Sequence, residues 1–219
     1  MLRGTFNRTL SAVVMAFGFW ALPTTAAAAP ICGGTVNVLD YNSQGGCTID
    51  GLLFSNFSVT PAFPGSPDDV IAVASWVDGG TAFFSLNPML GLGAGVEDIW
   101  FTFKVETLSG AANIVGVDLE NLGAGGTFIT EAVCTSAFVS ASCPGSLLAN
   151  MSTGDGQKDQ DFFAAQSSIW VFKDIGVGPN GHISAFTQSF HVPDGGSTIA
   201  LLGLGLLGLR AARRRFAGR

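Results

Sequence analysis

Three aspartates crowd into the segment STGDGQKDQDFF, at Asp155, Asp159 and Asp161. Carboxylates so spaced on a flexible loop could wrap a hard cation such as calcium. Their spacing matches no EF-hand loop and Lys158 sits among them, which favours a solvated turn leading into a strand. Asp68 and Asp69, after Pro67, read the same way. His182 and His191 are the chain's two imidazoles. Nine residues apart on one continuous strand, they would face opposite sides about 30 Å from each other and could not share a metal. No G-x-S-x-G elbow is present, and serine is too abundant to single out a nucleophile. No residue is therefore assigned a catalytic role, no enzyme activity is expected, and no metal or cofactor is assigned.

Aromatic side chains offer a different chemistry. Trp76, Trp100 and Trp170, with Phe63, Phe83 and Phe84, could form a platform for stacking on sugar rings, although aromatics in a sandwich more often fill the core. Trp100 is the informative member, because it falls on the polar side of its strand.

Cys32, Cys47, Cys134 and Cys143 form two pairs that are local in sequence. Four cysteines allow three connectivities. Pairing Cys32 with Cys47 and Cys134 with Cys143 would close short loops rich in Gly, Ser and Pro, each bridge adding about 3 kcal/mol by restricting the unfolded chain. A zinc site is the rival, weakened by the lack of C-x-x-C spacing and by the distant histidines.

These residues need a scaffold, and the alternation between Pro30 and His191 has period two, broken at Gly, Asn, Asp, Pro and Ser. In Glu97 to Glu106, Ile99, Phe101, Phe103 and Val105 point one way while Asp98, Trp100, Thr102, Lys104 and Glu106 point the other. Val115, Val117 and Leu119 alternate against Gly116, Asp118 and Glu120. Further strands are expected at Val36 to Tyr41, Leu52 to Val59, Val70 to Val77, Thr81 to Leu86, Thr127 to Cys134, Ile169 to Ile175 and His182 to Val192. The expected fold is all-β: a single antiparallel β-sandwich over 30–191, between a signal peptide (1–29) and a C-terminal sorting tail (192–219) with a transmembrane helix.

Charge excludes one class of partner. All 16 acidic residues lie between Asp40 and Asp194, and only Lys104, Lys158 and Lys173 offset them there, leaving −13. Such a field repels phosphate, so nucleic-acid binding is not expected.

Both ends carry addresses. Arg3 and Arg8, the apolar run Leu10 to Leu22 and the alanines Ala26 to Ala29 have the order of a cleaved signal peptide, implying a secretion translocon and signal peptidase as partners. At the other end stands VPDGGSTIALLGLGLLGLRAARRRFAGR, a short motif followed by an apolar helix and arginines. Arg210, Arg213, Arg214 and Arg215 should stay cytoplasmic. The apolar run Ser197 to Leu209 rises only about 20 Å against a hydrocarbon core of about 30 Å, which suits a transient anchor.

This order of motif, helix and arginines resembles the PEP-CTERM and VPDSG-CTERM sorting tails of Gram-negative bacteria. Val192, Pro193, Asp194, Gly196, Ser197 and Thr198 match the VPDSGST form, and Gly195 stands where that form has Ser. The resemblance implies processing by an exosortase, a membrane protease-transpeptidase, followed by release or attachment at the cell surface. It also implies an association with extracellular polysaccharide, which Trp100 would contact. The segments CTIDGLLFSNFSV, GTFITEAVC and IWVFKDIGVGPNGHISAFTQSF are similar to the body of a recurrent surface-protein family with such tails. Cys47, Leu53, Phe54, Phe57, Glu131, Lys173, Asp174, Ile175, His182, Ile183 and Phe190 fall on its positions. The expected function is that of an exported surface or matrix protein without catalysis. The alternatives are a carbohydrate-binding module and a secreted hydrolase.

Overall fold

The computed structural model describes residues 28–62, 66–91 and 95–193. Two six-stranded antiparallel sheets pack face to face, as alternation with one wet and one dry face requires. The front sheet has the order β2 (Cys47–Ile49), β3 (Leu52–Pro61), β6 (Glu97–Thr107), β11 (Ser168–Val177), β8 (Thr127–Cys134) and β9 (Leu147–Thr153). The back sheet has the order β1 (Val36–Asn37), β4 (Ile71–Asp78), β5 (Thr81–Asn87), β12 (His182–His191), β7 (Ile114–Ala124) and β10 (Lys158–Gln166).

The core lies between the sheets and is built on phenylalanine. Phe54 packs edge-on against Phe190 and Phe84, at centroid distances of 5.2 and 5.4 Å, while Phe101 and Phe103 sit 5.1 Å apart. Alternating residues of β6 supply Ile99, Phe101, Phe103 and Val105, all fully buried. Burying a side chain of this size contributes about 1.5–3 kcal/mol.

The structure departs from the sequence expectation in four places. Val36 to Tyr41 is not a strand: β1 stops at Asn37 and a 3₁₀ helix follows over Val38–Gln44. Asn37 caps that helix by accepting from the Leu39 N–H at 3.0 Å, Gly45 ends it at φ 77°, and Val38 and Tyr41, three apart, bury together. That is the repeat of a 3₁₀ turn, and the local asparagine cap outweighs the alternation. The second departure is β9, whose buried positions are Ala149, Met151 and Thr153, a weak apolar pattern. The third is β10, an edge strand with acidic and amide side chains whose start alone had been anticipated. The fourth is the short strand β2, which follows the 3₁₀ helix and pairs with β3.

Candidate functional site

Trp100 lies on the outer face of the front sheet, in register with Thr60 on β3 and Asp174 on β11. The next row on the same face is Ser58, Thr102 and Phe172. Diagonal neighbours on a twisted sheet are within reach of aromatic side chains, and the Trp100 and Phe172 rings are 6.1 Å apart. A third ring arrives from outside the sheet. The Cys134–Cys143 disulfide closes a loop whose tip is a tight hairpin between Val139 and Ser142, and this loop lays Phe138 over Phe172 at 5.4 Å. Phe172 points outward yet is only 7% exposed, which is the effect of that cover.

Together these groups enclose a cleft of about 180 Å³, with Trp100, Phe172 and Phe138 as apolar walls and Ser58, Thr60, Thr102 and Ser140 as hydroxyls. Trp100 keeps 37% of its surface open. Aromatic faces beside hydroxyl donors and acceptors suit an amphipathic ring with an apolar face and a polar edge.

An acid pair borders the same face. Asp98 on β6 and Asp174 on β11 are diagonal neighbours joined by a side-chain hydrogen bond, and one oxygen of each is buried without a protein donor. Two carboxylates satisfy each other only by sharing a proton. Burial, then the hydrogen bond to and charge of Asp174, push the Asp98 carboxyl up to about 7. The Asp98 backbone N–H donates to Ser66 Oγ at 2.9 Å, so the β3–β4 connection closes over the pair.

The outer face of the back sheet is built differently. A second cleft of about 290 Å³ is lined by Phe83, Asp118, Glu120, Lys158, Gln160 and Ser189 among others. Its ionic groups are already engaged. Asp118 accepts from Ser189 Oγ and pairs with His191 Nε2, both at 2.8 Å, and Lys158 reaches Glu120 at 3.1 Å. His191 Nδ1 meets Thr81 Oγ1 at 3.1 Å. Trp76 lies flat on Phe83, with centroids 5.0 Å apart and planes at 2°.

The Thr81, His191 and Asp118 chain has the connectivity of a nucleophile, base and orienting acid, with Thr81 8% exposed. The expectation that both histidines face opposite sides is corrected by the register. A bulge between Ile183 and Phe186 adds one residue to β12 against β7, so His182 and His191 both turn outward. They remain at opposite ends of the strand.

The clustered aspartates are each occupied separately. Asp155 accepts from the N–H groups of Gly125, Gly126 and Thr127 at 3.1, 3.0 and 2.7 Å and from the Thr127 hydroxyl. That set of donors, led by the hydroxyl, holds its carboxyl down at about 2. Asp159 accepts from the Ser152 N–H at 3.0 Å, tying β10 to β9, and Asp161 accepts from its neighbour Phe162. Among the described residues, no group of three or more His, Cys, Asp or Glu side chains could hold a metal ion. Asp155 is thus a turn clasp between two loops. Asp69 takes a hydrogen bond from the Asn37 side chain ahead of β4.

Of the remaining aromatic candidates, Phe84 is core, Trp170 lies under Lys104 on the front face with its ring centroid 5.9 Å from Nζ, and Phe63 lies outside the described residues. The cysteines pair as expected, Cys32 with Cys47 and Cys134 with Cys143, leaving no free thiol. Val192 packs on the core edge and its N–H donates to the Gly80 carbonyl at 3.0 Å. Asp194, Gly195, Gly196, Ser197 and the arginine cluster lie outside the described residues, as do 1–27. Among the described residues, no helix is long and apolar enough to cross a membrane.

Phe172, Phe138 and the acid pair were missed in the sequence. Phe172 and Asp174 share the wet parity of Trp170 and could have been read from it, whereas Phe138 carries no such signal.

Fold and site define a disulfide-bonded, all-β sandwich with an aromatic, hydroxyl-lined cleft on one outer face. The VPDSG-CTERM motif family matches residues 191–216, so the chain carries that sorting motif at its C-terminal end. The motif and the two disulfides point to an exported protein. No curated protein matches the chain. Among solved structures, it is similar to the carbohydrate-binding module TmCBM61 in complex with β-1,4-galactotriose, at 12% identity and TM-score 0.36, covering 70% of this chain and 98% of that one. A CBM4 structure is similar at 10% identity and TM-score 0.23, covering 59% and 88%. Both TM-scores lie below 0.5.

Proposed function

We propose that this is an exported surface or extracellular-matrix protein without catalytic activity, delivered by its sorting tail and cut there by an exosortase-like transpeptidase. The VPDSG-CTERM match over residues 191–216 carries the reading. Strand β12 runs to His191, Val192 is bonded to Gly80, and the apolar run of the sequence begins within a few residues. Anchored by that run, with Arg213, Arg214 and Arg215 held inside, the motif lies at the outer boundary of the bilayer, within reach of an enzyme embedded there. The mature protein is expected to lack Leu201 to Arg219, as read by intact mass of surface material. A surface chain still carrying its C-terminal arginines would make the tail a permanent anchor.

A second reading concerns what the exported domain does. The cleft at Trp100 favours binding of a glycan from extracellular polysaccharide, because three rings and four hydroxyls converge there. On a glycan array the protein is expected to retain a polysaccharide, and Trp100→Ala to lose at least about 2 kcal/mol of that binding. Trp76→Ala, on the opposite face, should leave it intact. Equal losses from both substitutions, or turnover of the glycan, would defeat this reading.

A further inference from the structure

Between the sheets, away from both clefts, Lys173, Glu131 and Gln188 form a closed polar triangle in an apolar core. Lys173 on β11 and Glu131 on β8 are direct cross-strand partners, and both point inward with Val171, Ile175, Ile129 and Val133. Gln188 descends from β12 in the other sheet between Phe186 and Phe190. None of the three is more than 1% exposed. Lys173 Nζ contacts Glu131 Oε2 and Gln188 Oε1, and the Gln188 amide donates to Glu131 Oε1 at 3.1 Å. The Phe186 ring centroid lies 5.2 Å from Nζ.

A buried ion pair is a poor source of stability, since desolvation offsets most of its attraction and apolar residues of similar volume do as well or better. Its chemistry is more distinctive. Burial pushes the Lys173 amine down and the Glu131 carboxyl up, opposed by their mutual attraction. Desolvation thus favours an amine with a free lone pair beside a protonated acid, and a neutral lysine is a nucleophile. The carboxamide of Gln188 is held against it, with water excluded.

We propose that Lys173 and Gln188 become joined by an intramolecular isopeptide bond, with Glu131 carrying the protons. The lone pair of Nζ attacks Cδ of Gln188, giving a tetrahedral adduct with the negative charge on its oxygen. The Glu131 acid, already in contact with the Gln188 amide, protonates Nε2, and its carboxylate takes a proton from Nζ. The Cδ–Nε2 bond breaks, ammonia leaves, the carbonyl re-forms and Glu131 is left protonated as it began. One C–N bond is made and one is broken, and no oxidant or reductant is needed. The product bolts β11 of the front sheet to β12 of the back sheet. Because β12 leads directly to Val192, the strand that bears the sorting motif becomes covalently fixed to the opposite layer.

High-resolution mass and peptide mapping of the exported chain test this, with both disulfides and the C-terminal cut assigned in the same map. The protein is expected to be lighter by one ammonia and to yield a branched peptide linking Lys173 to Gln188. Folded protein with both side chains free overturns the proposal. A branch between Lys173 and Glu131, with loss of water, overturns Gln188 as the acyl donor. Glu131→Gln is expected to fold without the link, and linking at the wild-type rate would remove Glu131 as proton carrier. Should that variant not fold, Glu131→Asp serves: slower ammonia loss after synthesis supports the role, and an unchanged rate overturns it.

Discussion

The two outer faces of the sandwich carry similar raw materials and use them in opposite ways. On the back face, Asp118, His191, Thr81, Ser189, Glu120 and Lys158 bond to one another, and Trp76 is covered on one side by Phe83. On the front face, Ser58, Thr60, Thr102 and Ser140 surround three rings, and each acid of the pair beside them keeps one oxygen without a donor. A polar group already satisfied by the protein has little to give a ligand, whereas an unpaired hydroxyl beside an aromatic wall can exchange water for a partner. Satisfaction of hydrogen bonds separates these faces better than their composition does.

The largest effects should come from removing the two disulfides, and the Cys134–Cys143 bridge is the one that bears on the cleft. The double substitution Cys134→Ser/Cys143→Ser frees the loop that carries Phe138 and Ser140, and it should cost about 2.5 kcal/mol from unfolded-chain entropy. Denaturant titration measures that loss. Any glycan binding by the front cleft should fall with it, while loss of the Cys32–Cys47 bridge, also a short loop, should cost about 3 kcal/mol and spare binding. Equal effects on binding would show that the loop carrying Phe138 and Ser140 does not build the cleft.

A smaller effect is expected on the back face. His191→Ala breaks the links to Asp118 and Thr81 and should cost about 1 kcal/mol in denaturant unfolding. His182→Ala, on the same outward side but at the far end of β12, should be near neutral. A large effect at His182 would show that the face extends further than its hydrogen bonds.

The last expected effect is a slope with pH. The Asp98 carboxyl is raised from an ordinary 3.8 to about 7, so the folded state binds the proton more tightly than the unfolded chain does. Its contribution is complete below about 3.8 and is lost as pH rises through about 7. Asp155 has the opposite sign: held down at about 2, it contributes above 3.8 and fails as pH falls towards 2. Asp98→Asn should flatten the decline between pH 4 and 7, read by thermal unfolding across that range, and leave the acid limb unchanged. A wild-type protein that gains stability from pH 4 to 7 and keeps that slope in Asp98→Asn would show that the pair holds no shared proton.

The sequence by itself determined the all-β architecture, because strand alternation is local: Ile99, Phe101, Phe103 and Val105 had to face one way whatever packed against them. It also determined the disulfide partners, since each pair is close along the chain, and the sorting motif at 191–216, which is read as linear sequence. It misjudged Val36 to Tyr41, where an asparagine cap outweighed alternation, and the histidine faces, where one extra residue in β12 reversed the parity. Only the tertiary structure decided which polar groups meet. Phe138 reaches Phe172 through a loop 34 residues away in the chain, and Gln188 reaches Glu131 across 57. No periodic pattern encodes such meetings, because they depend on how two sheets stack and on how a bridged loop folds back. The same sequence that fixes the parity of Lys173 is silent on what stands opposite it.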